Sequence, residues 1–118
     1  MSKVVYMSAL FNQLTSFVKE LIEMYPEDPD FSIFLNAVMV MKTNPALIAK
    51  TINDNIGPFE KKILEKDESF FMSYSFEGWG DMDVFSKLKN YITDMPPQSK
   101  EAVWKYIENI MRLAQACK

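Results

Sequence analysis

Apolar residues in this chain recur at steps of three and four, in runs separated by short polar breaks. Leu10, Leu14, Phe17, Val18 and Leu21 fall on one face of a helix. Ser8 is placed to cap that helix and Pro26 to end it, which predicts a helix over 8–25. The connector "YPEDPDFSIF" contains the next start signal. Asp28 can cap the free N–H groups, Pro29 suits the first helical position, and Asp30 lies near the positive end of the dipole. Phe31, Phe34, Leu35, Val38 and Met41 make the second stripe; Met39 and Val40 widen it, predicting a central helix buried on more than one side.

Asn44-Pro45 repeats the cap-and-proline start. Ile48, Ile52 and Ile56 follow at four-residue steps until Gly57 signals a stop. Pro58 opens a shorter amphipathic piece with Phe59, Ile63 and Leu64 inward, its charged residues forming a solvated face. Asp81 can cap a further helix carrying Val84, Phe85, Leu88, Tyr91 and Ile92. "DMPPQSKE" breaks the chain, and Ser99 is placed to cap a last helix with the cleanest stripe: Val103, Trp104, Ile107, Ile110, Met111 and Ala114. Glu101–Lys105 and Glu108–Arg112 stand acid before base, four apart, on its opposite side. Together these features predict an all-α chain: one domain over 1–118, about six short-to-medium helices in an orthogonal or irregular bundle. A lone strand would leave its ladder groups unpaired, so a sheet within one chain is not expected.

One stretch does not fit the helical pattern. "FFMSYSFEGWGD", Phe70 to Asp81, reads in three ways. It can be a helical turn whose Tyr74, Phe76 and Trp79 fold back as core, with Gly78 and Gly80 allowing a sharp turn beside Trp79. Its alternation of Phe70, Met72, Tyr74 and Phe76 with serines also suits a strand paired with a second chain. Or its aromatics form an exposed patch that binds a partner. Burial is the usual fate of aromatics and is the favoured reading. If the chain carries a partner surface, Tyr74, Phe76 and Trp79 are the candidates, because rigid aromatics supply contact area at low entropy cost.

Charge and chemistry narrow the function classes. The 118 residues carry a formal charge of −3, and no basic stripe is present to neutralise phosphates, which disfavours direct nucleic-acid binding. The chain has no histidine. That removes the usual general base, the commonest transition-metal ligand and the serine–histidine and cysteine–histidine nucleophile systems. No catalytic residue, cofactor or metal site is therefore assigned, and a non-enzymatic protein is expected. Cys117 is the single cysteine, so no internal disulfide forms; its place beside the last residue predicts a frayed, exposed thiol. The nine methionines suit adaptable core filling. No apolar run reaches the ~18 residues of a membrane span. "MSKVVYMSALFNQ" lacks a long apolar region and a small-residue cleavage site, so an intracellular rather than secreted protein is expected.

Two resemblances add to this. "GWGD" is similar to the asparagine-tryptophan-glycine-arginine motif of helical viral apoptosis regulators, but Gly78 replaces the asparagine and Asp81 reverses the arginine charge that grips the partner helix. More broadly, "FVKELIEMYPEDPDF", "KTNPALIAKTI", "KDESFF" and "KEAVWKYIENIMRLA", spread from Phe17 to Ala114, resemble small uncharacterised helical proteins of large DNA viruses, particularly those infecting algae. That resemblance implies a viral structural or adaptor protein in the virion or in a viral assembly, within the host cytoplasm or nucleus. It equally allows a host-directed regulator that sequesters a cellular protein. The expected partner is a protein, self-association remains open, and no site residue is carried over.

Overall fold

The computed structural model describes residues 3–69 and 87–118, and the regular structure among these residues is entirely helical. Helix α1 spans Lys3–Met24, α2 Asp30–Val40, α3 Pro45–Asn55, α4 Glu60–Leu64 and α5 Pro97–Ala116. Short 3-10 turns at Met41–Thr43, Gly57–Phe59 and Ile92–Asp94 bend the chain between them. The all-α class predicted from periodicity is the one observed. The radius of gyration is 13.4 Å, matching the roughly 13.5 Å of a compact globule of this length.

Helix α1 is the hub. It packs against α2, α3 and α5, and α5 closes the other side against α3 and α4. The stripe of α1 is buried as expected: Leu10, Leu14, Phe17, Val18 and Leu21 are all at 3% exposure or less. The helix begins five residues before Ser8, however, so Ser8 lies in its second turn and caps nothing. Tyr6 and Met7 explain the extension, because both pack against the core and reward another turn. At the far end Tyr25 still donates its N–H to the Leu21 carbonyl (2.9 Å). Pro26 has no N–H to offer, and the helix stops.

The start of α2 follows its signal. Pro29 is helical (φ −70°, ψ −16°), its carbonyl accepts from Ile33 N–H, and the Asp28 carboxylate accepts from the Asp30 N–H at 3.0 Å. That bond makes Asp28 the N-cap, with Pro29 in the first helical position. The burial of α2 departs from the pattern. Phe31 and Val38 are buried, but Ile33, Met39 and Val40 are exposed at 48, 47 and 74%. This helix lies on the flank rather than at the centre, because among the described helices α1 is the one it packs against extensively.

Asn44-Pro45 opens α3 with proline at the first helical position as expected, but the Asn44 side chain makes no cap hydrogen bond. Ile48, Ile52 and Ile56 are buried to 1% or less. Gly57 is not a left-handed cap; that conformation falls on Lys66 (φ 56°). Lys66 N–H reaches Ile63 O (3.1 Å) and Asp67 N–H reaches Lys62 O (3.0 Å), which is the Schellman closure of α4. Ile63 is buried in α4 as predicted, while Leu64 is 44% exposed and not inward. A lysine in the left-handed position costs about 1 kcal/mol relative to glycine. Its ammonium meets Glu101 of α5 at 2.6 Å, in place of the Glu101–Lys105 pair expected from spacing. Lys66→Gly and Lys66→Ala both delete this ion pair, so urea titration of the two isolates the backbone cost. The glycine variant is expected to be the more stable by about 1 kcal/mol; equal stabilities would mean that the turn carries no strain.

Leu88 and Ile92 are fully buried, but the chain turns at residues 89–91 and does not carry one helix through Ile92. Pro96 is extended (φ −58°, ψ 150°) and Pro97 takes the first position of α5, so Ser99 is inside the first turn and does not cap it. The predicted stripe of α5 is the observed one: all six residues are buried. Asn53 of α3 donates from Nδ2 to the Ala114 carbonyl at 2.8 Å, a second bond on an acceptor at the end of α5 that also takes the Cys117 N–H at 3.1 Å. Cys117 is not frayed. It is 8% exposed, and burial raises its thiol pKa against the opposing pull of Lys3. Met95 and Met111 are core residues, and Met7, Met24 and Met41 pack at its edge.

Candidate functional site

Two surface features combine shape with chemistry. The first is a cleft of about 540 Å³ at the α1–α2 connector, lined by Met24, Tyr25, Pro26, Asp28, Pro29 and Tyr91 among others. Its rings form a group: Tyr25 stacks on Tyr91 (centroids 4.0 Å) and on Phe31 (5.9 Å), and Phe34 meets Phe31 edge-on. The polar groups are bound to one another. The Tyr91 hydroxyl donates to Asp28 Oδ2, and Lys87 Nζ bridges Asp28 (3.2 Å) and Asp30 (2.7 Å). These contacts join positions more than fifty residues apart and tie the Lys87–Tyr91 turn to the start of α2.

The electrostatic shifts follow from those bonds. The Tyr91 hydrogen bond, with help from the Asp30 N–H and Lys87, holds the Asp28 carboxyl below its ordinary value. The bond to Asp30 raises Lys87, and the bond to Asp28 raises Tyr91. Burial, then Asp94, raises Tyr25. A depressed carboxyl contributes stability that is present above its unfolded value of 3.8 and lost as pH falls through the folded one. For Lys87 and Tyr91 the sign reverses: their contribution holds below the unfolded values of 10.5 and 10.0 and is lost at higher pH. Asp28→Asn is therefore expected to melt below the wild type at pH 7, with the gap closing as pH falls below the unfolded value of 3.8. Melting curves with a constant gap through that fall would remove Asp28 as the acid-sensitive group. The arrangement acts as a latch.

The second feature is a groove where the first turns of α1 face α3. One part, about 220 Å³, is lined by Val4, Met7, Phe11, Lys42 and Pro45 with Ser8. A second part, about 280 Å³, continues past Met7 along Ala46, Ala49 and Asn53 to Cys117 and Lys118. The floor is apolar and the rim is cationic. Lys42 Nζ sits 5.9 Å above the Phe11 ring; Lys50 and Lys118 line the second part, and Lys3 is near enough to act on Cys117. Asp54 is the one carboxylate side chain lining either part among the described residues, and it is bound to Lys50 at 2.6 Å. Neither α1 nor α3 has an acid in its first turn, so both positive helix ends add to the potential there. Val4 and Val40 are the most exposed large apolar side chains among the described residues, at 73 and 74%. Val4 lines the groove, and Val40 precedes Lys42 by two positions.

Tyr74, Phe76 and Trp79, the candidates from sequence, lie outside the described residues. Neither surface feature was singled out from sequence. The cleft's local signal was Tyr25 beside the Pro-Glu-Asp-Pro connector, with nothing there to announce Tyr91; the groove's signal was the "KVVYM" run ahead of the expected helix start. Among the described residues no group of three or more metal-ligating side chains occurs, and no helix is long and apolar enough to cross a membrane. No protein-family model, curated protein or solved structure matches the chain.

Proposed function

We propose that this chain is a non-enzymatic protein–protein interaction module whose contact surface is the α1–α3 groove with Val4 at its edge, extending to the exposed Val40 two positions before Lys42. The observation that carries this reading is the coincidence of an open apolar groove with Val4 at 73% exposure at its edge. Single exposed apolar residues are ordinary, but apolar side chains gathered around a concave, cation-rimmed surface are characteristic of a docking site. The latch at Asp28, Lys87 and Tyr91 supports a different role for the cleft, since its polar groups are engaged with each other. On the resemblance to small proteins of large DNA viruses, the module is a viral structural or adaptor protein, working inside the infected cell or in the virion.

The test is capture of a partner from infected cells, using the wild-type chain and the Val4→Asp and Val40→Asp variants as bait. Both side chains are exposed, so each variant should keep the wild-type circular dichroism and melting temperature. A partner captured in stoichiometric amount by the wild type and lost by both variants is the expected result. Capture that neither aspartate changes would overturn the groove as the contact surface.

A further inference from the structure

The charge around the groove specifies its occupant. The whole chain is net negative, with 16 acidic and 13 basic residues. Yet the groove gathers Lys42, Lys50 and Lys118, with Lys3 at its edge, and among the described residues Asp54, which Lys50 already binds, is the single lining carboxylate side chain. Two helix N-termini without first-turn acids open beside it. A surface of this kind repels cationic partners and steers anionic ones. Resting on the interaction-module reading, we propose that the groove binds an amphipathic helix with acidic flanks, its apolar side chains entering the two depressions on either side of Met7 and its carboxylates meeting the lysine rim.

The shape favours a helix over a flat anionic surface. The two depressions lie on either side of Met7, which lines both, the first beside Val4, Ser8 and Phe11 of α1 and the second beside Ala46, Ala49 and Asn53 of α3, and they have room for large apolar side chains. Neighbouring anchors on one helix face, at i and i+3 or i+4, are spaced to straddle such a side chain, the helix-in-groove mode of recognition. Methionine there suits this, because its unbranched chain adjusts to differently shaped anchors. A lipid headgroup layer would satisfy the lysines and leave the depressions empty. The ammonium of Lys42 is held over the Phe11 ring at the mouth of the first depression. An acid on the bound helix would pair there beside the apolar anchor, where displaced water makes the pair stronger than one on an open surface.

The experiment is selection of an mRNA-display library of helical peptides, with charged and apolar positions both randomised, on the full chain. Enriched peptides are expected to carry apolar residues at i, i+3 or i+4, and i+7, with an excess of Asp and Glu. Their affinity should fall about tenfold or more with Lys42→Glu combined with Lys118→Glu, and the loss should shrink in high salt. Lys61→Glu with Lys62→Glu, on the solvated face of α4, should leave affinity unchanged, and circular dichroism should confirm that each variant stays folded. Enrichment of neutral or basic peptides would overturn the inference. So would failure to enrich helical peptides, or phosphatidylserine vesicles that bind the chain and lose it with the same lysine substitutions. Self-association in sedimentation that those substitutions abolish would assign the groove to a second copy instead. Acidic peptides insensitive to the groove substitutions would also sink it, yet leave the interaction-module reading intact, since binding would then occur elsewhere. That reading stands or falls separately, on partner capture.

Discussion

Trp104→Ala is expected to lower the stability of the fold by about 3–5 kcal/mol, the cost of deleting a large buried aromatic. Trp104 is 4% exposed and stands in the first half of α5, within the stripe that faces α1, α3 and α4. Its removal leaves a space that the surrounding helices can fill only in part, because each is also held by its own contacts with α1 or α3. At roughly 4–8 °C per kcal/mol for a domain near this size, the melting temperature should fall by more than about 12 °C. Urea titration gives the free energy directly, and an unchanged slope would show that the loss comes from the native state. A cost below about 1 kcal/mol would contradict burial and make the ring part of an interface. Trp104→Phe, which keeps most of the apolar volume, should recover much of the loss.

The second large effect is expected at Phe31. It is fully buried, and its ring lies 5.9 Å from Tyr25, 5.9 Å from Phe34 and 5.7 Å from Tyr91. Phe31→Ala is expected to cost about 3–5 kcal/mol. Part of that cost belongs to aromatic pairing beyond area, about 0.5–1.5 kcal/mol per pair. A double-mutant cycle with Tyr91→Leu should therefore show coupling of that order. The cycle also tests the latch, because Tyr91 holds Asp28 by its hydroxyl and Phe31 by its ring. Independent effects of the two substitutions would mean that the α2 core and the latch are separate units.

These two residues differ in how far their roles could be read in advance. Trp104 belongs to a stripe that repeats at helical spacing opposite charged positions, and its burial followed from that pattern. Phe31 belongs to a stripe too, but its neighbours Tyr25 and Tyr91 come from a connector and a turn. Nothing local to Phe31 announces them. The same distinction separates the helix starts. Asp28-Pro29 and Asn44-Pro45 act within one turn, and both mark helix starts as expected, although only Asp28 caps with its side chain. Ser8 had the same chemistry and failed, because Tyr6 and Met7 found core contacts that extended α1 beyond it.

From the sequence alone came the helical class, the buried faces of α1, α3 and α5, and the proline-marked starts, since each rests on interactions within a few residues of chain. Tertiary structure alone decided what covers each apolar face. Val40 and Met39 are as apolar as Val38, yet only Val38 is buried. Cys117 sits beside the last residue, yet it is enclosed near Met7 and Ala49. The latch joins Asp28 to Tyr91, and the groove joins the beginning of α1 to the beginning of α3 and the end of α5. Periodicity reports which residues share a face; it carries no information about which distant element arrives to meet that face, or whether one does. That is why the core of this protein is largely written along the chain, while its candidate binding surface exists only where separate helices meet.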